Sequence, residues 1–310
     1  MIVVTGASGF VGNALCQELS QRNIDFRPVS RSGKSSTSVG DIDGTTDWRR
    51  VLQEADAIVH LAARVHVMKD DAVDPLAAFR EVNVDGTVNL AKQAAMAGVK
   101  RFIYMSSIKV NGEGTEPGRP FTTESPPSPR DPYGISKCEA ENLLFAVGAQ
   151  HGMEVVAIRP PLVYGPGVKA NFRAMMTLVQ REVPLPLALV DNRRSLTYVE
   201  NLVDLIICCL THDQAGGKVF LGGDGTTLST PQLMQSLARA MGLNARLFPV
   251  PVSLLKSAAA LFGKRDMAQR LLGSLEVDIT ATKQHLNWVP PISLDEAMKR
   301  TTAAFLEHRL

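Results

Sequence analysis

Tyr133 and Lys137 stand four residues apart in a segment with helical periodicity, so their side chains share one face of a helix. A phenol ionises near pH 10 and is a poor base at neutral pH unless its anion is stabilised. A lysine ammonium one turn away supplies that stabilisation by Coulomb attraction. The spacing therefore predicts a proton-transfer pair, although Tyr and Lys also occur at this spacing by chance.

A serine pair makes the chance explanation weaker. The predicted strand over residues 100–107 ends in Ser106 and Ser107, where a hydroxyl can hydrogen-bond the substrate oxygen that a tyrosine protonates. Ser107, Tyr133 and Lys137 together suit proton transfer at a carbinol or carbonyl while hydride moves to or from a cofactor.

The first dozen residues predict where such a cofactor binds. An apolar, β-branched run leads into Gly6, Gly9 and Gly12, and an amphipathic segment follows. In a strand-turn-helix unit one glycine permits the turn, one lets the backbone approach a pyrophosphate, and one lets helix and strand pack closely. The N–H groups and dipole of the new helix then face the phosphates. A glycine turn without ligand is the alternative, which the strand-to-helix context disfavours.

Arg31 predicts which dinucleotide is bound. In this type of unit an acidic residue about 20 positions past the glycines binds the ribose 2′-hydroxyl, whereas an arginine accommodates a 2′-phosphate. Arg31 occupies that place, with Lys34 and serines close by. We predict NADP rather than NAD; the alternative is that Arg31 lies in a solvated loop.

The elements that position these residues alternate between strands and helices. This order predicts an α/β fold, a Rossmann-type doubly wound parallel sheet with a smaller C-terminal α/β lobe. We predict a dinucleotide-binding domain over 1–165, completed by a strand near 218–222, and a mainly substrate-binding lobe over 166–310. The sequence pattern predicts a short helix over 48–54 and one long helix over 75–98. Residues 161–167 are predicted to be a turn-rich crossing into the C-terminal lobe. His60, inside an apolar strand, is predicted to be a hydrogen-bonded core residue.

Composition limits the function classes. The 310-residue chain carries a net charge of +2, which gives no bulk electrostatic case for nucleic acid. Its four cysteines lack metal-site spacing, so we predict reduced thiols and no metal. No apolar run is long enough to span a membrane and no signal peptide is predicted, so we expect a cytoplasmic protein. Residues 251–262 fit a membrane-surface helix or a packed helix; few charges favour packing and no stable membrane insertion.

Seven motifs occur in order along the chain: Thr5-Gly6-x-x-Gly9-x-x-Gly12, Gly40-Asp41-Ile42, His60-Leu61-Ala62-Ala63, Asn83-Val84-x-Gly86-Thr87, Ser106-Ser107, Tyr133-x-x-x-Lys137 and Arg159-Pro160. As an ordered set they resemble the extended short-chain dehydrogenase/reductases. Within that family the chain is similar to the nucleotide-sugar epimerase, dehydratase and reductase branch. The resemblance covers essentially the whole chain.

The resemblance implies a set of site residues, with an adenine contact near Asp41 and Ile42 and a nicotinamide site lined by Ala62, Ala63 and Lys137. Tyr133 would be the acid/base and Ser107 its partner. Together with the arguments above, the predicted cofactor contacts are Gly6, Ser8, Gly9, Phe10, Val11, Gly12, Arg31, Asp41, Ile42, Leu61, Ala62, Ala63, Asn83, Ser106, Tyr133, Lys137 and Pro160. The predicted contacts to a UDP-sugar are Ser107, Lys109, Tyr133, Asn171 and Arg194, the last of these on the diphosphate.

Departures from the family pattern narrow the reaction. The 4,6-dehydratases carry Thr-Asp-Glu in the Ser107 region, whereas this chain has Ser107-Ile108-Lys109, which disfavours dehydration. Epimerases commonly have a small residue or Thr at the position of Lys109 and Tyr at that of Asn111. Leu162 stands where many relatives place a phosphate-contacting Asn. These departures disfavour simple UDP-glucose 4-epimerisation without excluding it.

We therefore predict NAD(P)-dependent 4-keto reduction of a UDP-linked 6-deoxy (N-acetyl)hexose, with NADP favoured. One alternative is a UDP-hexose or UDP-HexNAc 4-epimerase that holds NAD tightly. A second is a non-catalytic dinucleotide-sensing module, although such modules typically lack the Tyr/Lys pair. The resemblance also implies a homodimer formed through two long helices, the one predicted over 75–98 and the one predicted over 131–150.

Overall fold

The computed structural model describes residues 1–33, 37–65 and 74–307, with the side chains of 265–267 excepted. Lys34, which accompanied Arg31 in the cofactor argument, lies outside the described residues. The strands are β1 Ile2–Thr5, β2 Phe26–Ser30, β3 Thr37–Ser38, β4 Ala57–His60, β5 Arg101–Met105, β6 Glu154–Arg159, β7 Leu162–Tyr164, β8 Arg194–Tyr198, β9 Lys218–Leu221 and β10 Thr227–Leu228. The α-helices are α1 Phe10–Gln21, α2 Pro75–Arg80, α3 Thr87–Met96, α4 Pro132–His151, α5 Ala170–Gln180, α6 Val199–Thr211, α7 Thr230–Ala240, α8 Val252–Leu261, α9 Arg265–Leu272, α10 Thr280–Leu286 and α11 Leu294–Glu307.

A parallel seven-stranded sheet has the order β3-β2-β1-β4-β5-β6-β9. The strand order reverses between β1 and β4, and ligands of such sheets bind in the crevice at the carboxyl ends of the strands there. Gly6 follows β1 and Leu61 follows β4, so the glycine turn lies at this point. The predicted Rossmann-type fold class is confirmed.

Helices cover both faces of this sheet, which explains the continuous apolar runs in its strands. On one face α1 and α6 bury Leu15, Leu19, Leu202 and Ile206 against the strands. On the other, α3 and α4 bury Leu90, Ala94, Ala140 and Leu144. The two layers hold the carboxyl ends of β1, β4 and β5 in fixed relative positions.

A second, three-stranded sheet has the order β10-β8-β7. β7 pairs with β8 in parallel, and β8 pairs with β10 antiparallel. This sheet shares a core with α5, α7 and α11, whose buried side chains include Phe172, Met176, Leu237 and Phe305. β7 takes residues 162–164 of the stretch expected to be a turn-rich crossing, whereas bends and turns occupy 161 and 165–167. The expectation was wrong for the strand, because Val163 and Tyr164 pair with β8, which is distant in sequence.

The helix predicted over 48–54 is absent, and the residues form turns instead. Arg27 supplies a physical reason, because its Nη1 donates to the carbonyl oxygens of Val51 at 2.6 Å and Gln53 at 3.1 Å. Carbonyls engaged in this way are less available to propagate a helix, and a short helix gains little from each added hydrogen bond. Trp48, at the start of the segment, is fully buried.

The single helix predicted over 75–98 is interrupted by a π-helical turn, Glu81–Gly86. π-Turns insert an extra residue and often mark functional sites. Here the turn lets Gly86 approach Ile42 so closely that a Cβ on the glycine would lie 2.6 Å from the isoleucine Cγ2. It also directs Asn83 inward, where its side chain is buried.

Candidate active site

The glycine turn has the geometry that two of the predicted roles require, the tight turn and the close packing of helix against strand. Gly6 has a φ of +67°, and a Cβ there would lie 2.7 Å from the backbone N of Ala62. A Cβ on Gly12 would clash with the carbonyl oxygen of Gly6, so this glycine permits the close approach of helix α1 to the turn. Gly9 donates its N–H to Gly6 at 2.9 Å and is the N-cap of α1, with no side chain capping the helix.

The N-terminus of α1 therefore presents backbone N–H groups that no capping side chain covers. Ser8 and Gly9 are exposed, and Phe10 and Val11 in the first turn are half-buried. The predicted phosphate-binding residues are thus brought to one helix end beside β4. Exposed backbone N–H groups at an uncapped helix N-terminus fit a pyrophosphate.

His60, at the end of β4, is a structural residue. Its Nδ1 shares a hydrogen bond with Thr5 Oγ1 at 2.7 Å, and its Nε2 shares one with Thr87 Oγ1 at 3.0 Å. Burial lowers the pKa of His60 to about 3, and the positive charge of Lys137 adds to the effect. The imidazole is neutral at physiological pH, as its predicted role as a hydrogen-bonded core residue requires. It fixes the backbone that continues into Leu61, Ala62 and Ala63.

Arg31 and Asp41 lie at the opposite end of the predicted cofactor site. Their side chains form an ion pair at 3.1 Å, and both are largely exposed. Ile42 follows Asp41 and packs beside Gly86 of the π-helical turn. The structure thus brings Arg31 and the predicted adenine contacts together at the end of β2.

Asn83 ties three parts of the site to one another. Its Oδ1 accepts from the backbone N of Arg64 at 2.8 Å, and its Nδ2 donates to the carbonyl of Arg64 and to Ser136 Oγ, both at 3.0 Å. Ser136 lies on α4 between Tyr133 and Lys137. Asn83, predicted as a cofactor contact, therefore links the segment after β4 to the helix that carries the proton-transfer pair.

Tyr133 is the second residue of α4 and is half-buried, hydrogen-bonded to Ser107. The pKa of Tyr133 is raised to about 12, chiefly by burial and also by the negative charge of Asp131, while the hydrogen bond to Ser107 opposes both effects. The ring meets Phe79 edge-on, with centroids 6.0 Å apart. This phenol needs a nearby positive charge to act as a base.

Lys137 is buried one helical turn away. Its Nζ donates to the carbonyl of Met105 at 2.8 Å and lies 4.5 Å from the ring centroid of Tyr104 and 5.9 Å from that of Tyr133. Burial lowers the pKa of Lys137 to about 7, against the opposing effect of Glu141. The predicted Ser107, Tyr133 and Lys137 therefore meet at the carboxyl end of β5, between Met105 and the start of α4.

A buried ionic network lies directly beneath this trio. Arg159, at the end of β6, donates to both carboxylate oxygens of Glu141, with Nη2 to Oε2 at 2.5 Å, and its Nη1 donates to Asn111 Oδ1 at 3.1 Å. Ser106 donates to Glu141 as well. Ser106, predicted as a cofactor contact, therefore has its hydroxyl directed into the network. Sequence reasoning missed Glu141, although its position four residues after Lys137 on the same helix face was a usable signal.

Lys109, predicted as a substrate contact, has its ammonium between two carboxylates. It contacts Asp131, the N-cap of α4, and Glu113 Oε1 at 3.3 Å. Pro160 follows β6, and its carbonyl accepts from the N–H of Ile108 at 3.0 Å. These contacts join the turn after Ser107 to both neighbouring elements.

The predicted diphosphate contacts lie in the region of the second sheet. Arg194 begins β8, and its Nη1 donates to the carbonyl of Gly273 at 3.0 Å. Burial lowers the pKa of Arg194. Asn171 is exposed near the N-terminus of α5, and Leu162 is exposed at the start of β7.

The long loop over 111–130, which follows Ser107, contacts the segment after α9. The N–H of Thr115 donates to Ser274 O, and that of Phe121 donates to Glu276 O, both at 2.9 Å. The segment after β5 is thereby fastened to the segment that follows α9.

The family model described as the NAD dependent epimerase/dehydratase family matches residues 2–222, most of the chain. The chain belongs to this family. Membership confirms the resemblance drawn from the ordered motifs and makes the protein an enzyme of the nucleotide-sugar epimerase, dehydratase and reductase branch.

A UDP-glucose 4-epimerase of Vibrio cholerae is 48% identical over 314 residues, covering 99% of this chain and 95% of that protein. UDP-glucuronic acid 4-epimerase from Bacillus cereus, solved in complex with NAD, superimposes with a TM-score of 0.77 at 20% identity, covering 100% of this chain and 99% of that one. RMD from Pseudomonas aeruginosa, complexed with NADPH, gives a TM-score of 0.76 at 23% identity, with the same coverage. At these identities the two structures show the shared fold.

Proposed function

We propose that this enzyme is a 4-epimerase acting on a UDP-linked hexose or N-acetylhexosamine, with a nicotinamide dinucleotide as its cofactor. The observation that carries the proposal is the 48% identity, along nearly the whole chain, to a UDP-glucose 4-epimerase. The meeting of Ser107, Tyr133 and Lys137 beside the glycine turn supports it, because this set suits reversible proton transfer at a secondary alcohol.

The residues present fit a nicotinamide dinucleotide. Gly6, Gly9 and Gly12 would hold its pyrophosphate at the uncapped N-terminus of α1. Glycine is required at the first and last positions, because a Cβ on Gly6 would collide with the backbone of Ala62 and one on Gly12 with that of Gly6. Lys137 and the small Ala62 and Ala63 would surround the nicotinamide half. Bound there, the cofactor would supply the hydride acceptor and donor for C4 of the sugar.

The chain's own residues would handle the proton. Tyr133 would remove it from the C4 hydroxyl as the alcohol becomes a ketone, and return it as the ketone becomes the alcohol of opposite configuration. The ammonium of Lys137 would stabilise the phenolate, and Ser107 would hydrogen-bond the same oxygen. Ser106 and Glu141 would hold the end of β5 so that Ser107 keeps its place.

We place the diphosphate of the substrate between the predicted dinucleotide-binding domain, 1–165, and the predicted substrate lobe, 166–310. Arg194 supports this placement because its half-buried guanidinium offers a forked donor set suited to phosphate oxygens. Asn171 is exposed and available for a second contact.

A second candidate, 4-keto reduction of a UDP-linked 6-deoxy (N-acetyl)hexose, is favoured by a specific observation. At the end of β2, where NAD-binding folds carry an acidic residue, this chain has Ser30 and Arg31, and Arg31 is exposed at the predicted adenosine side. An arginine there suits the 2′-phosphate of NADP, and a dissociable NADPH suits net reduction. Reduction was our prediction from sequence, and it stands second because the most informative relative is an epimerase.

One experiment separates the two reactions. The purified protein is denatured, its extract is assayed for NAD and NADP, and intact protein is incubated with UDP-glucose and with UDP-N-acetylglucosamine without added cofactor. Epimerisation predicts bound NAD and conversion to the galacto isomer. Reduction predicts a protein that binds NADPH more tightly than NADH and consumes NADPH only when a UDP-4-keto sugar is added.

Tyr133→Phe tests the catalytic assignment for either reaction. The variant should keep dinucleotide binding, because the ring and its contact with Phe79 remain, and should lose nearly all turnover. Unchanged turnover would contradict the role of Tyr133, and no turnover by the unaltered enzyme on any 4-hydroxy or 4-keto sugar nucleotide would favour a sensing module.

A further inference from the structure

Seven of the ten residues of helix α8 are apolar, yet none of its residues is buried. Val252 and Leu255 pack partly against the core of the second sheet. On the opposite side Leu254 is 60% exposed and Leu261 is 82% exposed, and the seven-residue spacing places them on one face, two turns apart. Phe262, directly after the helix, is 72% exposed. We call the surface formed by Leu254, Leu261 and Phe262 the α8 face.

The charges around these residues are mostly positive. Lys256 and Lys264 are exposed, and residues 243–272 contain five cationic residues and one carboxylate, Asp266. Arg246, in the same stretch, lies 3.7 Å from Glu182. Lys256 lies on the side of α8 away from Leu254 and Leu261, and Lys264 follows the helix two residues after Phe262. The segment therefore combines a face of large exposed apolar side chains with an excess of positive charge.

We propose that the α8 face binds the surface of an anionic lipid bilayer, with the helix lying in the plane of the interface. Apolar side chains of such helices enter the boundary between headgroups and acyl chains, while lysines contact the anionic headgroups. In the part of the chain that the structure describes, no helix has the length and apolar character needed to cross a bilayer. The proposal concerns peripheral binding.

Charge decides against a second copy of the chain as the occupant. A symmetric contact through this face would bring the positively charged segments of two copies together, because residues 243–272 contain five cationic residues and only one carboxylate, Asp266. An anionic surface offers the complementary charge. The sequence-based preference for a packed helix holds for the side that carries Val252 and Leu255 and fails for the α8 face.

The helix pair α8–α9 is fastened to the second sheet, so binding through it would carry the substrate lobe to the membrane. α9 packs on α8 and ends at Leu272. Asn192 Nδ2 donates to the carbonyls of Leu271 at 3.2 Å and Gly273 at 2.9 Å, and Thr230 Oγ1 donates to Leu271 at 2.6 Å. Arg194, two residues from Asn192, would therefore lie in the lobe nearest the bilayer.

Vesicle flotation of the full-length enzyme tests the proposal, with phosphatidylglycerol–phosphatidylcholine vesicles compared with pure phosphatidylcholine. We expect flotation with the anionic vesicles, weakened by high salt, and little with the neutral ones. Leu261→Ser should lower the partition coefficient about tenfold, and Lys256→Gln with Lys264→Gln should lower it roughly tenfold as well. Turnover of a soluble UDP-sugar should be unchanged in both.

Matched controls come from exposed residues outside the α8 face. Val289→Ser replaces an apolar side chain that is 68% exposed, and Lys92→Gln with Lys100→Gln removes two exposed lysines. Neither should change flotation. The proposal is overturned if the unaltered enzyme stays with the protein fraction, if controls and test variants behave alike, or if sedimentation velocity shows a dimer that Leu261→Ser dissociates.

Discussion

The ammonium of Lys109 contacts Asp131 Oδ2, while Oδ1 of the same aspartate accepts the N–H of Gly134 at 2.7 Å and caps the helix that carries Tyr133. One carboxylate thus serves the start of α4 and lies close enough to Tyr133 to raise the pKa of its phenol. Lys109 compensates that negative charge from the turn that follows Ser107. The pair links the two ends of the proton-transfer site electrostatically.

This arrangement predicts opposite pH shifts from two substitutions. Lys109→Met leaves Asp131 uncompensated and should raise the pKa of Tyr133, whereas Asp131→Asn removes the negative charge, keeps a good N-cap, and should lower it. We expect the corresponding limb of kcat/KM against pH to move by up to about one pH unit, in opposite directions. Lys109→Arg, which keeps the charge, is the control. Loss of activity in all variants with an unshifted profile would show a structural role only.

The buried pair of Glu141 and Arg159 predicts a large stability effect from a small change. Glu141→Gln leaves the Arg159 guanidinium buried without its counter-charge, so the free energy of unfolding should fall by about 3 kcal/mol or more. Glu139→Gln, on the same helix, breaks an exposed pair with Arg80 and should cost less than about 1 kcal/mol. Urea unfolding measures the free energy of unfolding of both variants. Equal losses would contradict the larger contribution assigned to the buried pair.

The buried Lys137, which is required for activity, should lower the free energy of unfolding near pH 7. Its pKa falls from 10.5 in the unfolded chain to about 7 in the folded one, so the unfolded state binds more protons between these values. Stability therefore decreases as pH falls from 10.5 to 7, and stays lower below 7. Lys137→Met should raise the free energy of unfolding by about 1–2 kcal/mol at pH 7, with a smaller gain towards pH 10, while abolishing turnover. A destabilised variant at pH 7 would contradict this explanation.

Gly12→Ala should damage the phosphate-binding turn. The added Cβ would clash with the carbonyl of Gly6, so α1 must move away from the turn; we expect at least a tenfold weaker affinity for the dinucleotide and a loss of about 1–3 kcal/mol of stability. Gly44→Ala is the matched control, because its Cβ would lie 3.5 Å from Asp85 Cβ, an ordinary contact. Isothermal titration with NAD and NADPH measures the affinity. Unchanged affinity of Gly12→Ala for the dinucleotide would contradict the prediction, because it would show that α1 can move away from the turn without weakening binding.

The features that could be predicted from the sequence are those in which a residue and the contacts that constrain it lie close together along the chain. Gly6 and Gly12 meet steric requirements of the turn, and Tyr133 and Lys137 share a helix face because one turn separates them. The parallel sheet followed from the alternation of buried strands with helices. These features depend on backbone geometry within about one strand-turn-helix unit.

The missed features depend on neighbours distant in sequence. Glu141 and Arg159 meet because β6 lies beside β5, under α4. The π-helical turn brings Gly86 against Ile42, and the carbonyl oxygens of the segment 48–54 accept hydrogen bonds from Arg27. Local periodicity carries no information about such partners.

The pairing of β9 with β6 also has a consequence for biosynthesis. Val156 pairs with Lys218, so β6 leaves the ribosome with about sixty residues, including β7 and β8, still to follow before its outer neighbour exists. At about 5–20 residues per second, that edge remains open for roughly 3–12 s. Unpaired strand edges recruit other chains, so nascent polypeptides of this enzyme should be most prone to aggregation before residue 218 is translated. A ribosome stalled within the second sheet should therefore hold a chain that chaperones bind.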